Sequence, residues 1–175
     1  MNANELKELQ APLKKKYEED PDSATITLKA KSRIGGGITC KIETGRSLVE
    51  AGLHPATGGD GLSVCSGDML LEALVACAGV TLNAVATAIE IRLRDAVVSA
   101  EGDLDFRGTL AVSKEAPVGF KAIRLKFEID SDVDEEQLET LIKLTERYCV
   151  VYQTLSGAPS IDISYLRAPL LSANV

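Results

Sequence analysis

Residues 67–90 read GDMLLEALVACAGVTLNAVATAIE and form the longest mostly apolar stretch of the chain. Their richness in Ala and Leu predicts a helix, which would be about 36 Å long at ~1.5 Å per residue. The longest run without a charge, residues 73–89, has 17 residues and contains Thr81, Asn83 and Thr87. Because a membrane span needs about 20 apolar residues, the stretch indicates a buried central helix and no membrane partner.

One thiol, Cys77, lies near the middle of this predicted helix. At about 100° per residue it falls on the apolar side, about 140° from Glu72. The candidate partner for redox chemistry is Cys149, which is 149 − 77 = 72 residues further along the chain. A cysteine on the apolar face of a buried helix is more often a small core residue than a reactive one. The residues alone therefore favour packing and leave redox chemistry open.

Composition narrows the class of protein. The chain has 175 residues and a net charge of −7, which suits one domain and excludes a nucleic-acid partner. Its single histidine, His54, offers no set of metal ligands, so no metal is expected. The N-terminus lacks the features of a secretory signal, and no cysteines form a CxxC pair. We expect a cytoplasmic protein with four reduced thiols: Cys40, Cys65, Cys77 and Cys149.

The first residues predict an arm ahead of the main domain. Residues 4–19 have an amphipathic helical pattern that Pro12 would kink or break. We interpret residues 1–23 as a docking arm, with a frayed tail as the alternative, and residues 24–175 as the domain. In that domain, alternation predicts strands at 25–32 and 38–44, joined by a glycine turn with Arg33 at its bend.

The rest of the chain alternates between strand and helix patterns. Residues 45–66 indicate an irregular loop, with Ser66 capping the long helix. Later segments predict two strands, a helix from Asp132 or Asp134 to about Tyr148, and a last strand, Ser160–Leu166. The order is typical of an α+β fold of antiparallel sheets. These few strands cannot cover the long helix, so we expect a symmetric homodimer whose subunits share a core.

Two segments together resemble a known family. GDMLLEALVAC at 67–77 and ERYCVVYQTLSGAPSIDI at 146–163 resemble the OsmC/Ohr family, osmotically inducible protein C and organic hydroperoxide resistance protein. In that family an acidic residue opens a central helix that reads roughly acid-LLLAALAAC, with the first cysteine at the end of this motif. A second cysteine begins a C-x-x-x-x-x-L segment, which Cys149 and Leu155 match. The resemblance covers residues 24–167.

The resemblance implies an intertwined homodimer in which two central helices are wrapped by two sheets. It also implies a thiol peroxidase that acts on organic hydroperoxides and needs an external dithiol reductant but no cofactor. Cys77 would be the peroxidatic thiol and Cys149 the resolving thiol. An activating arginine would come from the turn after the first strand, often in the partner subunit, which points to Arg33, with Arg46 in reserve. Asp68 would orient that arginine.

The chain departs from the family at the acidic residue. The well-studied peroxidases carry Glu ten residues before the first cysteine, where this chain has Gly67, whereas Asp68 is nine before. On a straight helix Asp68 would point about 180° from Cys77. Cys77 also lies too deep in its helix for the helix dipole to act strongly, so thiolate formation requires a guanidinium. A redox sensor and an apolar-ligand-binding protein remain alternatives to the peroxidase.

Overall fold

A 23-residue helix, α2 (Ser66–Ala88), is the longest element of the chain. The computed structural model describes residues 2–19, 31–34, 39–43 and 48–167. As predicted, the fold mixes helices with mainly antiparallel strands. The other elements, in chain order, are α1 (Ala3–Glu19), β1 (Lys31–Ile34), β2 (Thr39–Glu43), β3 (Leu48–Gly52), β4 (Val64–Cys65), β5 (Leu93–Leu104), α3 (Phe106–Thr109), β6 (Phe120–Ser131), α4 (Glu135–Tyr148) and α5 (Val150–Gly157).

The strands form two sheets. In the first, β1, β2 and β3 pair in antiparallel fashion, and the short β4 pairs in parallel with β3. The second sheet is a two-stranded antiparallel ribbon of β5 and β6, each 12 residues long. Both strands of the ribbon alternate between exposed and half-buried residues, as expected when one face packs on a core and the other meets solvent.

One stripe of α2 forms the centre of the core. Its buried residues recur at helical spacing, which places them on one face. Leu141 of α4 and Ile91 complete this buried cluster, and half-buried side chains of β5 and β6 pack around it. A capping box fixes the start of α4: the Asp134 side chain accepts from the Gln137 N–H at 2.9 Å. The buried stripe of α2 consists of Leu74, Ala78, Leu82, Val85 and Ala86.

The opposite face of α2 is apolar but open in the single chain. Val80 on this face is 74% exposed. Helix α2 is long and apolar enough to cross a membrane, but the core helix of a soluble protein often has the same length and composition. The expected burial of the central helix is thus present on one face of α2 only.

Several sequence-based expectations about local structure were wrong. Arg33 lies within β1, opposite Lys41, rather than at the bend of the hairpin. The expected loop at 45–66 contains β3 and β4, because LVEAG gains its strand structure from pairing with β2 rather than from its own alternation. Ser66 does not cap α2: it is the first helical residue, and Cys65 holds the N-cap position without a side-chain hydrogen bond.

The last part of the described chain also differs from expectation. Residues 150–157 form α5, whereas no helix was predicted there. The predicted final strand, Ser160–Leu166, is not a strand in the single chain, and each of its residues is exposed. An extended segment needs a neighbouring strand for its backbone hydrogen bonds, and none lies beside it among the described residues. The predicted strand at 25–32 falls mostly outside the described residues.

Candidate functional site

Helix α2 places Cys77 at the edge of its buried stripe. The preceding Leu74 and the following Ala78 are buried, and Cys77 itself is half-buried. Its position at the border between the packed face and the open face of α2 follows from the helical repeat. The thiol is therefore within reach of both the interior and an approaching molecule.

Cys149 lies at the junction of two helices. It is the C-cap of α4 and the N-cap of α5, and its extended backbone separates them. Its N–H donates to the Thr145 carbonyl, and its own carbonyl accepts from the Gln153 N–H, both at 2.9 Å. The residue is only 1% exposed. The helix junction thus holds the Cys149 side chain in the interior.

The two predicted redox residues are brought together by the fold. The thiols of Cys77 and Cys149 lie close enough for each to shift the pKa of the other, and both are free thiols. Their contact joins α2 to the start of α5. A pair of thiols in contact is the arrangement that thiol–disulfide chemistry needs.

The Cys77 sulfur receives several hydrogen bonds. Burial alone would raise the pKa of this thiol. Hydrogen bonds from the Val151 N–H, the Cys149 thiol, the Thr81 hydroxyl and the Val150 N–H, in decreasing order, outweigh burial, so the pKa of Cys77 is lowered. Hydrogen bonds to the charged form stabilise the thiolate, which is the nucleophilic form of cysteine.

The environment of Cys149 has the opposite effect. Burial raises the pKa of its thiol, and its hydrogen bond with Cys77 and the charge of Cys77 raise it further. Those effects exceed the lowering by the backbone N–H groups of Tyr152 and Val151. Of the two sulfurs, Cys77 therefore gives up its proton first, and Cys149 keeps its proton and can donate it to the Cys77 thiolate.

The first turn of α5 provides donors that the sequence reasoning did not find. Val150 and Val151 are the first residues of α5, where backbone N–H groups have no partner inside the helix and the helix dipole is positive. The expectation that only a guanidinium could stabilise the thiolate was therefore too narrow. The available signal was weak: Val151, Tyr152 and Leu155 have helical spacing, with Gly157 and Pro159 as a stop.

The other predicted site residues are not brought to Cys77 by the described structure. Asp68 is exposed in the first turn of α2, nine residues or about 13 Å along the helix from Cys77. The backbone of Arg33 lies in β1, and the described part of the structure does not include its side chain. Arg46 lies outside the described residues. An arginine at the site therefore stays a prediction.

Two further cysteines stand apart from the pair. Cys65 is half-buried at the start of α2 and lines a cavity of about 360 Å³. The ring of His54 in the same cavity stacks on Phe106, with centroids 4.9 Å apart, and its Nδ1 accepts from the Ala56 N–H. Cys40 lies in β2, and its side chain is outside the description. Neither cysteine was predicted to be a site residue.

A groove lined by both apolar and polar side chains, the latter including Lys121, Glu146 and Ser156, lies about one helical turn from the thiol pair, and neither cysteine lines it. Its volume is about 520 Å³. One wall includes Leu74, which precedes Cys77 by one helical turn, and Tyr152 and Leu155 of α5. Side chains of β6, among them Phe120 and Phe127, form the opposite wall. Such a groove is large enough for a small organic molecule.

Comparison with known proteins supports the resemblance seen in the sequence. The family model described as OsmC-like protein matches residues 58–164, more than half of the chain. That range includes α2, Cys77, Cys149 and α5, but excludes α1 and Arg33. No curated protein sequence matches the chain.

Solved structures share the fold at low sequence identity. An OsmC-like protein from Mycoplasma pneumoniae has a TM-score of 0.64 and 18% identity, and the match covers 75% of this chain and 89% of that one. An organic hydroperoxide resistance protein from Elizabethkingia anophelis has a TM-score of 0.62 and 18% identity, and the match covers 76% of this chain and 90% of that one. An organic hydroperoxide resistance protein from Legionella pneumophila has a TM-score of 0.60 and 20% identity, and the match covers 75% of this chain and 90% of that one.

Proposed function

Since the chain belongs to the OsmC-like protein family, we propose that it is a thiol peroxidase that reduces organic hydroperoxides. The observation that carries the proposal is the close pair of Cys77 and Cys149, whose pKa values are shifted in opposite directions. Cys77 is the peroxidatic thiol because its thiolate is the stabilised one. The names of the similar structures from Elizabethkingia anophelis and Legionella pneumophila agree with this class of substrate.

The first step oxidises Cys77. Its thiolate attacks the terminal oxygen of the hydroperoxide, so an S–O bond forms and the O–O bond breaks. The alkoxide that leaves takes a proton and becomes an alcohol, while Cys77 becomes a sulfenic acid. The thiol of Cys149, which keeps its proton, is a candidate for supplying that proton.

The second step joins the two cysteines. The Cys149 thiolate attacks the sulfenic sulfur of Cys77, an S–S bond forms, and hydroxide leaves as water after taking a proton. An external dithiol then reduces the disulfide and is itself oxidised to a disulfide. The sum is one hydroperoxide and one dithiol converted to alcohol, water and one disulfide, with no cofactor or metal.

The groove beside Leu74, Tyr152 and Leu155 supports an organic substrate. Apolar side chains bind an alkyl or aryl group by removing its surface from water, at about 25 cal/mol per Å², whereas hydrogen peroxide has no apolar surface to bury. Arg33 of the second subunit, with Arg46 in reserve, is proposed to add a positive charge at the thiolate, and Asp68 to orient it.

The protein is proposed to act as an intertwined homodimer. The open apolar face of α2 needs fuller cover than one chain provides, as the exposure of Val80 illustrates. The segment at 160–166 alternates Ile161, Ile163 and Tyr165, all exposed, as a strand without a sheet does. Among the described strands, β6 pairs only with β5 and keeps a free edge. We propose that the 160–166 segment of one subunit pairs with β6 of the other. The homodimer is proposed to act in the cytoplasm, without a membrane or nucleic-acid partner.

The experiment that tests the function is a turnover assay. The reduced protein is mixed with cumene hydroperoxide or tert-butyl hydroperoxide and a dithiol, and loss of hydroperoxide is measured. We expect turnover that Cys77→Ser abolishes and that the control Cys65→Ser retains. Full activity in Cys77→Ser would exclude the mechanism. Rapid oxidation of Cys77 without turnover would instead favour the redox sensor, and affinity for apolar ligands in a variant lacking both thiols would favour the binding protein.

A further inference from the structure

The N-terminal helix α1 lies on the open face of α2. Leu6 of α1 faces Val80, Asn83, Ala84 and Thr87 of α2, and these five side chains line a shared cavity of about 330 Å³. Val80 and Ala84 follow Cys77 by three and seven residues, so α1 lies about one to two turns beyond the thiol. The predicted docking arm is therefore a helix that contacts the main domain.

This contact uses the side of α2 that the core does not use. At about 100° per residue, Val80 and Thr87 lie on the opposite side of α2 from the buried Leu82 and Val85. The same open face is the part of α2 that the homodimer would have to cover. An arm and a second subunit cannot occupy one surface at the same time.

The contact between α1 and α2 is loose. Val80 is still 74% exposed with α1 in place. Of the α1 side chains that the structure describes, Ala3, Leu6 and Gln10 are half-buried and the others are exposed. The remaining cavity means that the two helices do not reach the close packing of a protein interior. At the described positions, removing α1 from α2 therefore exposes little buried surface.

Helix α1 is also stabilised by its own residues. The Asn2 side chain accepts from the Glu5 N–H, and the Glu5 carboxylate accepts from the Asn2 N–H, both at 2.9 Å. This reciprocal pair is a capping box, which satisfies donors at the helix start without help from the rest of the chain. Lys15 and Glu19 add an i,i+4 ion pair near its end. The helix can thus leave α2 without losing these local interactions.

We propose that α1 is a displaceable cover of the α2 face. In the single chain α1 occupies surface that a second copy of the chain covers in the homodimer, so release of α1 favours association. The arm lies outside the range that the OsmC-like model matches, which makes this a property of this chain rather than of the matched domain. The inference rests on the proposed homodimer but not on the proposed thiol chemistry.

The test compares the dimer dissociation constants of the full chain, Leu6→Gln and Lys7→Gln by sedimentation equilibrium. Leu6→Gln weakens the apolar contact of the arm with α2, and we expect roughly fivefold tighter dimerisation from the loss of a partly buried leucine contact. Lys7→Gln introduces the same residue at an exposed position of the same helix and should leave the constant unchanged.

The outcomes separate the cover from the dimer. Equal or weaker dimerisation in Leu6→Gln would overturn the cover while leaving the dimer in place. If the full chain and both variants stay monomeric at all concentrations, the result would overturn the dimer and the cover together. A second measurement follows hydrogen exchange of the α1 amides as protein concentration rises through the dissociation constant. We expect faster exchange in the dimer, and slower or unchanged exchange would overturn the cover.

Discussion

The first turn of α5 brings the backbone N–H of Val151 close to the sulfur of Cys77, although the two residues belong to different helices. This contact is the strongest of the interactions that lower the pKa of this thiol. The start of one short helix thus stabilises a thiolate near the middle of a long one. The site depends on the packing of α5 against α2 as much as on either cysteine.

Replacement of Val150 by proline tests this role of α5. Val150 is the first helical residue, where proline is well tolerated, and Cys149 before it already has the extended backbone that precedes proline. The substitution removes one N–H that lowers the pKa of Cys77. We expect the pKa to rise and alkylation of Cys77 at neutral pH to slow by roughly threefold to tenfold.

The measurement is the alkylation rate of Cys77 by iodoacetamide as a function of pH, resolved by mass spectrometry of peptides. Because the pKa is lowered, the rate in the unmodified protein should rise with pH with a midpoint below 9.0, the ordinary value for the thiol. Val150→Pro should level off at higher pH. Val150→Ala keeps the N–H and serves as the control; matching profiles for the two variants would contradict the role of α5.

Two replacements of Cys149 separate its roles as hydrogen-bond donor and as resolving thiol. Cys149→Ser and Cys149→Ala both prevent the disulfide, so Cys77 should accumulate as a sulfenic acid that dimedone traps. Only serine keeps a donor for the Cys77 thiolate. We therefore expect Cys149→Ala to oxidise roughly tenfold more slowly than Cys149→Ser at neutral pH. Equal oxidation rates would show that the Cys149 donor does not activate Cys77.

The buried cluster predicts where stability is most sensitive. Leu141 of α4 is fully buried against α2. Leu141→Ala should lower the free energy of unfolding by about 2–5 kcal/mol, the usual cost of a large-to-small change in a core. Leu110→Ala, at a side chain that is 51% exposed, is the matched control in urea denaturation. A loss below about 1 kcal/mol for Leu141→Ala would mean that this cluster is not the core.

The C-terminal segment predicts a contrast between neighbouring residues. If residues 160–166 form a strand on the partner, Ile163 faces one side of the sheet and Ser164 the other. Ile163, which is 92% exposed in the single chain, would then become buried. Ile163→Asp should weaken the dimer by at least about tenfold, and Ser164→Asp by much less. Sedimentation equilibrium measures both, and equal effects would exclude the expected strand.

The sequence predicted the elements whose signals are local. The start of α4 was predicted at Asp132 or Asp134, and Asp134 is the N-cap, where it forms a capping box with Gln137. The alternation of β6 identified that strand. The length and apolar content of α2 predicted a long helix. Each of these signals lies within the element itself, so no knowledge of neighbouring elements was needed.

The elements that were missed depend on tertiary context. The strand β3 exists through pairing with β2, and α5 has only eight residues, which is short for a helix to be stable alone. For the candidate site, the pairing of Cys77 with Cys149 came from the family resemblance, because spacing along the chain did not select it. The contribution of Val151 could not be predicted, since it requires the packing angle of α5 on α2.

Because Cys149 lies between α4 and α5, its oxidation would affect how these two helices are oriented. If the proposed disulfide forms, the Cys149 sulfur must approach the Cys77 sulfur, so oxidation would draw this junction and α2 together. Because buried Leu141 anchors α4 in the core, whereas α5 has no buried residue, we expect α5 to move more than α4. Its far end is Ala158, a non-glycine residue with a φ of 31°, followed by Pro159. A small movement of the Cys149 sulfur would thus change the direction of the chain that follows α5.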